Sequence, residues 1–168
     1  MGISDLHIRV ATTNDSDQVH NLLNTLAQWM KDTKINQWSF LLEGEDDELK
    51  EWISNGLTYI VEKDEAFIAT FTLLPEAGEW DQHIWGDDLP ANTSYLHRLA
   101  IFPAFMRKGI GQKVIEWIST REIDRVRLDC VADNEKLNRF YENNGFELKG
   151  ITDDHCKYEK IMKRGESI

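Results

Sequence analysis

Apolar and polar positions along the chain switch repeatedly between alternation and helical spacing. His7 to Ala11 alternates enough for a first strand, and Thr13, Asn14 and Asp15 offer caps for a helix after it. Val19, Leu22, Leu23, Leu26 and Met30 then recur at helical intervals and predict one apolar stripe. A second helix is predicted from about Asp47 to Asn55, with Gly56 as its stop. Thr58 to Lys63 is rich in β-formers. Phe67, Ala69, Phe71 and Leu73 alternate with Ile68, Thr70, Thr72 and Leu74, and Asp64-Glu65 between the two runs reads as a hairpin turn.

The pattern dissolves from Glu76 to Thr93, so this segment, with Trp80, Trp85, Gly86 and Pro90, reads as a long loop of the kind that often carries function. Ser94 to Ile101 resumes strand character and Pro103 ends it. A helix is expected from near Gly109, with Ile110, Val114, Trp117 and Ile118 on one face. Arg125 to Val131 is a further strand, and Asp133 or Asn134 can cap a helix that carries Leu137, Phe140 and Tyr141 and stops at Gly145. Phe146 to Ile151 and Tyr158 to Met162 finish as strands. The order predicts a mixed sheet with helices on its faces, and the absence of repeats or linkers predicts one domain over residues 1–168.

Composition narrows the setting. The chain has 168 residues, 41% of them hydrophobic, with six Trp, which is ample for a packed core. No apolar run approaches the roughly 18 residues that span a bilayer, and the start lacks a basic and apolar leader, so the expectation is a soluble, cytoplasmic protein without a membrane partner. Nineteen basic against 30 acidic residues give a formal net charge of −11, which repels nucleic acid and favours cationic partners. The acidic stretch Glu43 to Glu48 reads as a solvated helix start. Cys130 and Cys156 lack metal-ligand spacing, no metal site is expected, and Cys130 in its apolar run reads as a small core residue.

Candidate chemistry concentrates in YLHRLAIFPAFMRKGIGQKVIEWI, Tyr95 to Ile118: a strand, a loop with glycines and positive charge, and an amphipathic helix. Glycines permit close approach of the backbone to a ligand, and free N–H groups at a helix start attract phosphate oxygens. A Walker loop is excluded, because no Gly-Lys-Ser/Thr follows at the right spacing. The Rossmann pattern fails at Val114. Alone, Gly-Ile-Gly also suits a plain structural turn. The second segment, RLDCVADNEKLNRFYENNGF from Arg127 to Phe146, adds a strand, Asn134, a helix with Phe140-Tyr141, and Gly145-Phe146.

Taken together these two segments resemble the GNAT acetyltransferase superfamily, whose phosphate loop has the form Arg/Gln-x-x-Gly-x-Gly/Ala and whose next segment carries Asn, Phe/Leu-Tyr and Gly-Phe. The resemblance implies an α+β (mixed α/β) fold with a mostly antiparallel twisted sheet, and transfer of acetyl from acetyl-CoA to an amine. It implies that Leu99, Ala100 and Ile101 pair with the pantetheine arm, and that Arg107, Lys108, Gly109, Ile110 and Gly111 wrap the pyrophosphate. It further implies that Asn134 hydrogen-bonds the pantetheine, that Tyr141 stands near the thioester sulfur, and that a backbone N–H near Leu99 meets the oxyanion. Met106 departs from the pattern, standing where the family has Arg or Gln, which removes one side-chain contact and leaves room for a reading as an acyl-CoA binding module without turnover.

Amine acetylation needs a base for an ammonium whose pKa is near 10 and an acid for the departing thiolate. Strict alternation from Tyr95 to Ile101 places Tyr95, His97, Leu99 and Ile101 on one side. Arylalkylamine acetyltransferases carry His at the places of Tyr95 and His97, so His97 is the candidate base, with Glu79 and Asp81 as rivals. Tyr141 is the candidate acid. Trp38, Glu79 and Trp85, among other aromatics and carboxylates, suit a cationic acceptor through cation–π attraction and ion pairing, and equally suit packing. A small-molecule amine is the expected acceptor class, ahead of a protein N-terminus or lysine. An unpaired edge strand near the C-terminus leaves room for a homodimer.

Overall fold

The computed structural model describes residues 6–32 and 47–162, so Trp38 and positions 43–46 of the acidic stretch lie outside the described residues. Within them the chain runs β1 (Leu6–Val10), α1 (Ser16–Asp32), α2 (Asp47–Ser54), β2 (Thr58–Lys63), β3 (Ala66–Leu74), α3 (Glu79–Trp85), β4 (Thr93–Ile101), α4 (Ile110–Ile118), β5 (Arg125–Val131), α5 (Glu135–Asn143), β6 (Glu147–Thr152) and β7 (His155–Ile161). The strands form one seven-stranded sheet in the order β1-β2-β3-β4-β5-β7-β6. Neighbours β1/β2, β2/β3, β5/β7 and β6/β7 are antiparallel, and β4 meets β5 in parallel over Thr93–Tyr95 against Arg125–Arg127. This is the mixed α/β sheet the pattern predicts. The residues gather into two compact units, one holding the chain to Leu73 and again His97–Lys113, the other Leu74–Leu96 and the chain from Val114.

In the first unit the predicted stripe of α1 is the core: Val19, Leu22, Leu23, Leu26 and Met30 are all buried. The cap differs from the sequence expectation. Thr12, one residue earlier, opens a short 3-10 turn over Thr13–Asp15, and Asp15 reaches back to accept from the Thr12 N–H at 2.8 Å. The same carboxylate takes both Arg9 nitrogens, at 2.9 and 3.0 Å, which ties the end of β1 to the start of α1. Helix α2 buries Leu49, Trp52 and Ile53 and stops where predicted: Gly56 takes φ 74, donating to Ile53 O at 3.1 Å while Leu57 donates to Trp52 O at 2.9 Å. The turn between β2 and β3 places Asp64 and Glu65 at φ 53 and 69, the handedness that matches strand twist in a two-residue hairpin. Cross-strand pairs lock that hairpin, with Tyr59 stacked on Phe71 at 5.1 Å and Thr58 bonded to Thr72 at 2.7 Å.

In the second unit Val126, Leu128 and Cys130 of β5 are buried on one face, alternating with Arg125, Arg127 and Asp129 on the other. Arg127 is itself only 2% exposed, and its charge is answered directly. Its register partner Glu159 on β7, 7% exposed, accepts from Nε at 2.9 Å, and Asp88 accepts through its carbonyl at 2.6 Å and its carboxylate at 2.9 Å. The Trp85 ring covers the guanidinium at 3.9 Å.

The segment Glu76 to Thr93 is not the structureless loop expected from its pattern. Asp81, 1% exposed, caps the N–H of Gly78 at 3.0 Å and starts α3, which closes at Gly86 with φ 65. A seven-residue helix is too short to show periodicity, and its inward stripe contains an aspartate beside Ile84 and Trp85. On α4, Ile115 takes the buried place expected of Trp117, which is half-buried. Of the two candidate caps for α5, Asn134 is the one used: its Oδ1 accepts from Leu137 N at 3.2 Å. Gly145 stops α5 at φ 89.

Two outcomes test this packing. Arg9 holds the Asp15 carboxyl at about 2, below its ordinary 3.8, so the contribution to stability is full above 3.8 and lost as pH falls through about 2. Asp15→Ala is expected to lower stability by about 1 kcal/mol in urea unfolding near neutral pH, and the gap to wild type to shrink between about pH 4 and 2. Arg127→Met strands Glu159 without its nearest cation and is expected to cost about 3 kcal/mol, whereas Arg127→Met with Glu159→Gln removes both charges and recovers about half of that.

Candidate functional site

The first unit carries the second half of β4 and the glycine loop. Arg98 sits within the strand at φ 53, a conformation rare for a residue with a side chain and a local break in the pleat. Strict alternation therefore fails at this point. His97 lies 5.3 Å ring to ring from Trp52 of α2, and the next residue, Arg98, places its guanidinium 4.9 Å from the same ring while pairing with Glu48 at 3.2 Å. Consecutive side chains thus meet one indole, which a regular strand forbids. Ala100 is fully buried, and Leu99 and Ile101 are half-buried.

After β4, a 3-10 turn at Pro103–Phe105 leads to half-buried Met106 and to Arg107 at φ 63. Gly109 follows at φ 81, and its carbonyl accepts from Lys113 N at 3.1 Å, so it is the cap of α4. Helix geometry then leaves the N–H groups of Ile110 and Gly111, the first two of α4, without carbonyl partners inside the helix. Arg107 and Lys108 are exposed beside them. A turn of this handedness, a helix start and two cations fit an anion such as a phosphate group.

The second unit carries Tyr141, on the buried face of α5. Its ring packs against Phe140, Phe146 and Tyr158 at 5.1, 5.5 and 6.2 Å, which fixes the phenol in place. Among the described residues that phenol has no hydrogen-bond partner, and burial pushes its pKa well above the ordinary 10. Asn134 spends its carbonyl on capping α5 and keeps its amide. Burial also pushes the Cys130 thiol up to about 12, so it stays protonated in the core as expected.

The acceptor candidates on α3 separate. Glu79 is exposed in the first turn, whereas Asp81 is buried as a cap and Trp85 is buried under Arg127. Trp80, 41% exposed, donates its Nε1–H to Asp129 Oδ2 at 3.0 Å, and the same oxygen lies 2.9 Å from His155 Nδ1. Sequence reasoning passed over Arg127, Asp129 and His155. The signal was present in β5, where charges fall at every second position opposite an apolar face.

Residues 23–146 match the acetyltransferase (GNAT) family. Over 145 residues, 83% of this chain and 81% of the relative, the sequence is 40% identical to the uncharacterized N-acetyltransferase YesJ of Bacillus subtilis (strain 168). The crystal structure of a GNAT-family acetyltransferase from Listeria monocytogenes 4b F2365 superposes with a TM-score of 0.77 at 26% identity, covering 93% of this chain and 94% of that one. The PaiA N-acetyltransferase from Thermoplasma acidophilum, solved in complex with coenzyme A, superposes with a TM-score of 0.60 at 17% identity, over 93% and 98% of the two chains, a likeness of fold. A broken strand leading to a glycine-capped helix, and a strand leading to an Asn-capped helix with its tyrosine, therefore stand in a sheet shared with such enzymes, and the chain belongs to the GNAT acetyltransferase family.

Proposed function

We propose that the protein transfers the acetyl group of acetyl-CoA to a primary amine of a small molecule. The observation that carries this reading is Tyr141, a buried phenol clamped by three aromatic rings, without a protein partner among the described residues and kept protonated by burial. Such a group serves as the acid for a departing thiolate. The turn at Arg107–Gly111 suits the pyrophosphate of the co-substrate, chiefly through backbone N–H groups at the start of α4. The Asn134 amide is suited to the pantetheine, with the backbone of Leu99, Ala100 and Ile101 as its strand partner. Support for coenzyme A comes from the fold relative solved with it.

The nucleophile must be neutral, so one proton leaves the ammonium before attack. On β4 the candidate for that base is His97, on the likeness to arylalkylamine acetyltransferases. The amine lone pair then forms the C–N bond, the C–S bond breaks with its electron pair on sulfur, and the thiolate takes the Tyr141 proton. The second proton lost from nitrogen restores the phenol. The net charge of −11 favours cationic acceptors, and no helix among the described residues is long and apolar enough to cross a membrane.

Thiol release from acetyl-CoA should appear with a polyamine, arylalkylamine or amino acid acceptor. Tyr141→Phe is expected to lower kcat about 10- to 100-fold with little change in the KM for acetyl-CoA. Because the phenol's pKa is raised, wild-type turnover should not decline between about pH 8 and 10 through loss of that proton. Coenzyme A binding by calorimetry with no thiol release against any amine would replace this reading with that of a binding module, which Met106 favours.

A further inference from the structure

Three imidazoles, His83, His97 and His155, differ in how they are held. His97 lies against Trp52, and His83 pairs with Asp153 on the exposed side of α3. His155 differs from both, because a buried carboxylate addresses one ring nitrogen and leaves the other open. Its Nδ1 is 2.9 Å from Asp129 Oδ2, an ion-pair contact. The carboxylate side chain is 7% exposed and the imidazole 26%. Asp129 is in turn held by the Trp80 indole N–H at 3.0 Å, and the Trp80 ring meets His155 edge-on at 5.2 Å. Nothing described occupies Nε2. The backbone is equally fixed, since His155 follows a two-residue turn whose Asp153 and Asp154 both have positive φ, and it pairs with Val131 in register.

Resting on the acetyltransfer reading, we propose that His155, oriented by Asp129 and Trp80, is the base that accepts the proton of the acceptor ammonium. With its proton on Nδ1, toward the carboxylate 2.9 Å away, the neutral ring presents its lone pair on Nε2. The ammonium N–H bond gives its proton to Nε2, the amine keeps the electron pair for attack, and the imidazolium passes the proton to water on its exposed side.

Tyr141 packs on Tyr158, which with Cys156 lies on one face of β7, while His155 and Lys157 lie on the other by alternation. The charge of Asp129 also acts on Tyr141, so the phenol and the Asp129–His155 pair flank the same stretch of β5. The groups facing His155 are Asp129 from β5, Asp153 and Asp154 from the turn, and Trp80 from α3, whose ring also meets His83. The Asp129 contact raises the imidazole above its ordinary 6.5, with burial opposing and the two turn aspartates adding to it.

The experiment is the pH dependence of kcat/KM with an accepted amine. A base must be neutral, so the wild-type rate should rise with pH through the His155 titration. His155→Gln should lose about 100-fold in kcat/KM and the rising limb with it. Asp129→Asn, a positioning variant, should keep activity in part and move the limb to lower pH, a shift that a merely structural role does not produce. Coenzyme A affinity by calorimetry checks that both variants fold. Wild-type turnover with an unchanged limb in both variants overturns this assignment alone and returns the role to His97. Absence of wild-type turnover with every amine overturns the assignment together with the acetyltransfer reading.

Discussion

The second unit depends on one buried charge. Arg127 could not remain ionised at 2% exposure without immediate answers, and each answer comes from a different part of the chain. Glu159 across the ladder fixes β7 against β5, Asp88 fixes the chain just beyond α3, and the Trp85 ring closes the remaining face. Two residues further along β5, on the same face, Asp129 repeats the arrangement at smaller scale with Trp80 and His155. The helix is therefore pinned over one strand at two successive inward positions. Removing the first pin would leave Trp80 to hold alone what a guanidinium and an indole now hold together.

That arrangement explains why α3 escapes a reading of hydrophobic pattern. Its buried stripe is Asp81, Ile84 and Trp85, and its anchors are polar atoms on β5, so the determinant of its place lies nearly fifty positions away in sequence. Longer elements were legible because packing alone defines them. The α1 stripe, the Gly56 and Gly145 stops and the Asp64-Glu65 turn each follow from local spacing or local conformation. The Arg98 break in β4 is a third kind of case. No residue type announces it, since arginine has no preference for positive φ, and the Arg98 side chain is instead held by Trp52 and Glu48.

Of the candidate site, the parts that use the backbone were legible and the parts that use pairs of side chains were not. Gly109 as cap of α4 and Asn134 as cap of α5 follow from capping rules and loop pattern. The Asp129–His155 contact joins β5 to the first residue of β7, and its register depends on the two-residue turn before it. A shift of one residue would send His155 to the face of Tyr141. Such a pair becomes visible only when the ladder is known.

Burial acts on Tyr141 and Cys130 in the same direction, with different chemical consequences. Both acids are pushed up by loss of solvent, the thiol to about 12 and the phenol above its ordinary 10. A thiol reacts through its anion, so raising its pKa disables it as a nucleophile. A phenol already holds its proton in the neutral range at its ordinary pKa, so the shift extends that range upward in pH while making the phenol a weaker donor. The acid role proposed for Tyr141 therefore depends on placement beside the developing negative charge rather than on desolvation. Desolvation alone therefore does not mark a site; it becomes informative when joined to the protonation state that the chemistry requires.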